Sequence, residues 1–241
     1  SDNEYAYITP DIAYHLDKFD RGYDMLIDVF GADHHGYVPR LKAAIEALGY
    51  EKEKLEVKII QMVRLLRGGE EVKMSKRTGN VVSVNDLVEE VGIDAARYFF
   101  AMRNIDSQMD FDIELAIKKA QDNPVYYVSY AHARICSLLK NKELKKVDQF
   151  RTIDSEYAYD ILSKISEFKN VVEASALKRL PHLITNYVYD LANALHIYYN
   201  NEQILTDDDE YTNERLLLVK AVKIVINNAL NLIGVKAPEE M

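Results

Sequence analysis

The chain has 241 residues, 48% of them hydrophobic, a formal net charge of -9, no tryptophan and a single cysteine. That length buries a sizeable core and predicts two domains, while the acid excess excludes a protein that coats nucleic acid by bulk electrostatics, so RNA can be met only through local basic patches. The lone Cys136 excludes an intrachain disulfide and fits a reducing, cytoplasmic setting, and no apolar run is long enough to span a membrane.

The opening Ser1-Asp2-Asn3-Glu4 has neither a basic nor an apolar signal region. It starts without methionine and runs straight into a patterned stretch, which reads as part of a longer polypeptide. Tyr5 to Ile8 reads as a short extended run, and Thr9 as the cap of a helix that begins at Pro10 and continues through Ile12, Leu16 and Phe19. Asp24 to Phe30 is apolar enough for a buried strand. The turn from Gly31 to Gly36 then opens a helix from Tyr37 to Leu48, closed by Gly49. Lys54 to Leu66, with Val57, Ile59, Ile60 and Val63, reads as one further strand. Strand and helix in alternation imply part of a parallel sheet.

A polar, basic loop from Val72 to Asn80 follows the turn pair Gly68-Gly69. Ser83 caps a helix to Val91, Gly92 ends it, and Asp94 starts another through Met102. From there the apolar spacing is helical over 121–140, 154–176, 178–201 and 212–233, a bundle of at least four members. The expected class is mainly α: a partial Rossmann-like α/β catalytic half over 1–66, a loop-bearing connection over 67–119, and an α-helical bundle over 120–241.

Four groups of residues carry chemistry. Lys73, Ser75 and Lys76 sit on the basic loop, where Lys58, Arg64, Arg67, Lys73, Lys76 and Arg77 face only Glu70 and Glu71 between positions 58 and 77. Lysines there suit an anion whose charge grows during reaction, a triphosphate above all, because each ammonium is a movable point charge with three donors. Gly31 to Arg40 follows a strand and opens a helix, the place where open α/β sheets hold nucleotides. Asp33 can accept from a ribose hydroxyl or a cationic substrate, and His34 and His35 can bracket adenosine. With no third ligand near the two histidines, no metal site is expected. Tyr7 and Asp11 can face one pocket, and the Asp11 carboxylate can pair bidentately with a guanidinium. Tyr126, Tyr127 and Tyr130, with Tyr198 and Tyr199 on a later helix, outnumber what one small core needs. Together with Arg134 they suit base stacking in a single-stranded RNA loop. On the residues alone, a nucleotide-using enzyme and a non-catalytic RNA-binding module with a basic phosphate clamp both stay open.

The motifs also carry a resemblance. Lys73-Met74-Ser75-Lys76 resembles the signature loop of class I aminoacyl-tRNA synthetases. Gly31 to Arg40 (GADHHGYVPR) resembles the element that lines the adenosine and amino-acid pocket in the arginyl members. Tyr7-Ile8-Thr9-Pro10-Asp11 resembles their Tyr-x-Thr-x-Asp element, with Pro10 where arginine is usual. Asp94-Ala95-Ala96-Arg97 resembles the DALR element, with Ala96 where leucine is commoner. Asn123 to Arg134 is similar to the first helix of the anticodon-binding bundle, and Leu232 to Met241 to its end.

The bacterial-type arginyl family thus covers essentially the whole chain. It implies an ATP-dependent ligase that forms arginyl adenylate and passes arginine to tRNA(Arg), with Mg2+ sharing the phosphate charge. It implies catalytic roles for Lys73, Ser75 and Lys76, and ATP contacts at Gly31, Asp33, His34, His35 and Met74. Arginine would meet Tyr7, Asp11 and Asp33, and tRNA would meet Tyr127, Tyr130, Arg134, Tyr199 and Met241. The family's His-x-Gly-His element and its N-terminal domain are not in this sequence. The expectation is therefore the C-terminal part of a monomeric enzyme, inactive alone.

Overall fold

The structure, a computed structural model, describes residues 7–72 and 83–241. Two compact units divide the chain: one runs to Arg64 and takes back Ile105–Asp110, and the other holds Leu65–Asn104 and Phe111–Met241.

In the first unit, helix α1 (Thr9–Asp20) begins with Ile8 at the cap position, and among the described residues no side chain caps it. This corrects the expectation that Thr9 is the cap. Strand β1 (Leu26–Gly31) leads through a 3-10 segment (Ala32–Tyr37) into α2 (Val38–Ala47). A second short 3-10 turn then leads into β2 (Leu55–Ile60), which pairs with β1 in parallel, Leu26 opposite Leu55 and Gly31 opposite Ile60. The expected buried strand is buried on one face only: Leu26 and Asp28 point inward, while Ile27 and Val29 are 42% and 59% exposed. Phe19, Leu26, Leu41, Ile45 and Leu55 form the core, and Tyr50 stacks on Phe19 with centroids 3.9 Å apart. Truncating a buried leucine or isoleucine such as Leu41 or Ile45 to alanine costs about 2–5 kcal/mol in cores of this kind.

The stretch expected to be one strand from Lys54 to Leu66 is two. After Ile60 the chain leaves β1, the Gln61 amide donates to the Ile105 carbonyl at 3.2 Å, and β3 (Val63–Arg67) follows. β3 turns through Gly68-Gly69 into the two-residue β4 (Glu70–Glu71), antiparallel, with Arg67 opposite Glu70. Both glycines have positive φ, +60° and +82°, which a two-residue hairpin of this twist requires.

In the second unit, α3 (Val84–Val91) starts with a reciprocal cap: the Asp86 amide donates to Ser83 Oγ at 3.1 Å and the Ser83 amide to Asp86 Oδ2 at 2.7 Å. Gly92, at φ +83°, links it to α4 (Ile93–Ala101). A strand that the sequence does not announce, β5 (Met109–Asp112), begins in the first unit and ends in the second; it lies beside β3 in the sheet order β4-β3-β5 and leads into the one-turn α5 (Ile113–Ile117). The bundle follows: α6 (Pro124–Leu139), α7 (Glu156–Lys178), α8 (His182–Asn201) and α9 (Asp209–Leu232).

Asn123 caps α6 by accepting from the Val125 amide at 3.1 Å, and its own amide donates to the carbonyls of Ala116 and Lys118. Val128, Val188, Leu191, Val219, Val222, Ile226 and Leu230 fill the bundle centre with no exposed surface. Glu214, also fully buried, accepts from the amides of Arg151 and Thr152 and from the Thr152 hydroxyl, which ties the α6–α7 connection to α9. Asp94 accepts from the Lys236 amide at 3.0 Å, and His132 Nδ1 donates to the Pro238 carbonyl at 2.8 Å, so the C-terminal segment is fastened to α4 and α6. At Gly234 a Cβ would come within 2.6 Å of Arg97 Nη1, so the residue must be glycine for Arg97 to lie there. Among the described residues, no helix is long and apolar enough to cross a membrane.

Candidate functional site

The C-terminal end of β1 is where a parallel sheet leaves backbone groups and loops free for ligands, and three elements meet there. The Gly31 turn exists to make room: a Cβ at Gly31 would lie 2.8 Å from Asp33 Oδ1. Asp33 therefore folds back over the strand end, accepting from His34 Nδ1 at 3.0 Å while staying exposed to solvent. His34 packs on Phe30 with centroids 5.5 Å apart, and Phe30 in turn contacts Tyr37 at 6.4 Å. His35 is exposed.

Tyr37 links this turn to α1. Its hydroxyl donates to Asp11 Oδ2 at 2.6 Å, and Tyr7 lies edge-on to its ring at 6.1 Å. Burial pushes the Tyr37 phenol up to about 12, and its bond to the Asp11 carboxylate and that group's charge add to the shift. Tyr37 thus stays a donor at any physiological pH. Asp11 Oδ1 has no protein partner among the described residues, so the half-buried carboxylate offers one free edge to a cation. Tyr7, Asp11, Asp33 and His34 are brought into one neighbourhood. Lys73, Met74, Ser75 and Lys76 lie outside the described residues. Among the described residues, no three His, Cys, Asp or Glu side chains converge to hold a metal.

In the second unit an aromatic seam runs along α6 and α8. Tyr126 and Tyr130, four residues apart on α6, stack with rings 8° from parallel. Tyr127 meets Tyr189 at 5.1 Å and His196 at 4.6 Å, and its hydroxyl donates to Asn193 Oδ1 at 3.1 Å. Arg134 lies over the Tyr199 ring at 3.2 Å and more loosely over Tyr130 at 6.0 Å. Burial raises the Tyr127 phenol, with Tyr189 adding to it. Burial also lowers the His196 imidazole, against a hydrogen bond to the Tyr127 backbone and with Arg134 working in the same direction as burial, which favours the neutral ring. Its Nε2 is buried without a partner among the described residues. Rings with open faces beside a guanidinium can take flat, π-rich bases, each stacked base being worth about 1–3 kcal/mol.

The expected tRNA residues Tyr127, Tyr130, Arg134 and Tyr199 meet on this seam. Tyr198, counted with them in the sequence, points the other way and is core at 1% exposure. Met241 is exposed and lines a groove of about 550 Å³ with Tyr126, Ser129, Gly92 and Asp94; Tyr126 belongs both to that groove and to the seam, where it stacks on Tyr130.

Several participants escaped sequence reasoning: Phe30, Tyr37, His15 and Asp28 in the first unit, Tyr189, Asn193 and His196 in the second. Tyr37 lay inside the quoted GADHHGYVPR motif, and His15 follows Asp11 by one helical turn. The spacing of Tyr189, Asn193 and His196 along α8 was equally visible.

Comparison with known proteins adds independent findings. Residues 1–139 match the family described as tRNA synthetases class I (R), catalytic domain, and residues 128–241 match the DALR anticodon binding domain. The chain is 58% identical to arginine–tRNA ligase 1 of Halalkalibacterium halodurans and 57% identical to arginine–tRNA ligase of Bacillus subtilis, in each case over 100% of this chain and 44% of the relative. It spans less than half the length of these curated relatives. Among solved structures, the Campylobacter jejuni protein described as an arginyl tRNA synthetase superposes with a TM-score of 0.90 at 36% identity, covering 100% of this chain and 53% of that one. The arginyl-tRNA synthetase of Plasmodium falciparum superposes with a TM-score of 0.79 at 20% identity, over 100% of this chain and 46% of that one, a likeness of fold.

Proposed function

The chain belongs to the arginyl family of class I tRNA synthetases, and from that premise we propose that it works as the C-terminal part of an arginine–tRNA ligase. That enzyme would activate arginine with ATP and transfer it to the 3′ end of tRNA(Arg). The observation that carries this reading is the half-buried Asp11 carboxylate, held by the Tyr37 hydroxyl at 2.6 Å with no partner for its other oxygen among the described residues, next to the turn that closes β1. A planar guanidinium can meet that free edge and stack against Tyr7, whereas lysine offers only a point charge and citrulline no charge.

Gly31, Asp33, His34 and His35 would hold the adenosine, with Met74 beside it. Lys73 and Lys76 would stabilise the pyrophosphate as it leaves, and Ser75 would donate to a phosphate oxygen. Mg2+ would enter with the triphosphate as part of the substrate. We divide the work as catalysis in 1–66, tRNA stem contact and the basic loop in 67–119, and anticodon recognition in 120–241. There Tyr127, Tyr130, Arg134 and Tyr199 receive bases and Met241 closes the adjoining groove. A monomer in the cytoplasm completes the reading.

The test is aminoacylation of tRNA(Arg) by the full-length polypeptide with arginine, lysine and citrulline offered in parallel. Charging with arginine alone supports the proposal, and charging with lysine or citrulline at comparable efficiency overturns it. Residues 1–241 by themselves should give no arginine-dependent exchange of pyrophosphate into ATP, and their binding to tRNA should weaken as salt rises, because phosphate contacts release counterions.

A further inference from the structure

Asp11, His15 and Lys18 form a polar stripe at helical spacing on the face of α1 turned toward β1, where an amphipathic helix would ordinarily bury only apolar side chains. His15 is 3% exposed and both of its ring nitrogens are engaged: Nδ1 with the Asp11 carbonyl at 2.7 Å, and Nε2 with Asp28 Oδ2 on β1, also at 2.7 Å. Lys18 reaches the other oxygen of Asp28 at 3.3 Å. Asp28 sits opposite Val57 in the parallel pair, so it is held by the sheet at a fixed height.

A buried polar pair of this kind adds little to stability, since an apolar pair of the same volume commonly does as well. It does fix a direction. The first turn of α1 needs one: among the described residues no side chain caps it, and Pro10 sits within it. An uncapped first turn frays, and Asp11 lies in that turn.

We propose that His15 is a positioning residue for Asp11: by bridging the Asp11 carbonyl to Asp28 it locks the first turn of α1 against β1 and sets the angle of the Asp11 carboxylate. The hydrogen-bonded chain Asp28–His15–Asp11–Tyr37 then runs from the sheet to the pocket without a gap. This rests on the reading of Asp11 as the carboxylate that meets a guanidinium.

Two substitutions in the full-length polypeptide separate positioning from mere packing. His15→Asn keeps a donor at the place of Nδ1 and loses the one at Nε2, while His15→Gln does the reverse. A bridge needs both of its bonds, so His15→Gln and His15→Asn should each raise the KM for arginine roughly tenfold, below the ~100-fold that an ångström of misplacement can reach, with kcat and tRNA affinity near those of the parent. Mere packing predicts instead that both variants melt lower and keep KM within about threefold, a loss under 0.7 kcal/mol. A parent-like KM in either folded variant overturns the proposal. Should neither fold, Asp28→Leu, which removes the acceptor, decides: a raised KM supports the latch and an unchanged one removes it. Adding His15→Gln to Asp11→Asn should raise KM no further. An unchanged KM in Asp11→Asn would remove the premise, whereas a raised one there with a normal His15→Gln would remove the latch alone.

Discussion

Around Asp11 the contacts are single and directional: one hydroxyl at 2.6 Å on the carboxylate, one imidazole at 2.7 Å on the carbonyl, one glycine that leaves room for Asp33. Along the α6–α8 seam they are broad and shared, with Tyr127 touching two rings and Arg134 lying over two more, at centroid distances from 3.2 to 6.0 Å. A hydrogen bond fails when its partner turns away, but a stacking face tolerates displacement. The first arrangement suits recognition of one small cation, the second a flexible loop of bases whose planes vary. The first should therefore break sharply on single changes, and the second should lose affinity in steps.

The largest effect is expected on the basic loop. Lys73→Ala or Lys76→Ala in the full-length polypeptide should slow arginine activation by roughly 10² to 10³ with arginine KM nearly unchanged, the usual loss for one preorganised donor to a transition state. Pyrophosphate exchange measures it, and an equal loss of ground-state ATP binding would mean uniform binding instead. Next comes Asp11→Asn, which leaves the guanidinium desolvated without its charge partner, a loss on the order of 3–5 kcal/mol. Arginine KM should rise by roughly 10² or more, and discrimination against citrulline should shrink with it. If Asp11 served only the helix, the mutant would melt slightly lower and keep its arginine kinetics.

On the seam, Tyr127→Ala should cost about 1–3 kcal/mol of tRNA affinity with a small change in melting temperature. Tyr198→Ala, a fully buried neighbour on α8, should do the reverse. Matching outcomes for the two tyrosines would erase the distinction between seam and core.

The smallest effect is a pH dependence confined to the bundle. Burial alone would raise the Glu214 carboxyl, but the bonds from the Thr152 hydroxyl and the Thr152 and Arg151 amides outweigh it and hold the group below its usual value. Its stabilisation is therefore complete above the ordinary glutamate pKa of about 4.3 and is lost as pH falls through the depressed value. Acid melts of Glu214→Gln should lack that drop, while the first unit's melting is unaffected.

The bundle was legible in the sequence because each helix repeats its apolar residues at helical spacing; α6, α7 and α9 also start at a side-chain cap, Asn123, Ser155 or Asp208, while α8 starts at Pro181 without one. The first unit was less so. Lys54 to Leu66 is β-rich throughout, and nothing local marks the point where Gln61 turns to Ile105. Met109–Asp112 alternates as a strand should, but at four residues with two aspartates it lacks length and β-branched content. Asp28 and His15 look like surface residues, since a buried charge announces itself only through a partner remote in sequence. Tyr7, Asp11 and Asp33 were legible as candidates from their residue chemistry and from the family resemblance together. Tyr37 and His15, which orient Asp11, needed the fold.

One pair of measurements addresses the division of labour directly: arginine KM at saturating tRNA, and tRNA Kd, on Asp11→Asn and Tyr127→Ala. The two-site account predicts that Asp11→Asn raises KM by roughly 10² and leaves Kd unchanged, while Tyr127→Ala weakens Kd and leaves KM unchanged. If Asp11→Asn loosens tRNA as much as it loosens arginine, or Tyr127→Ala raises the arginine KM, the account is wrong.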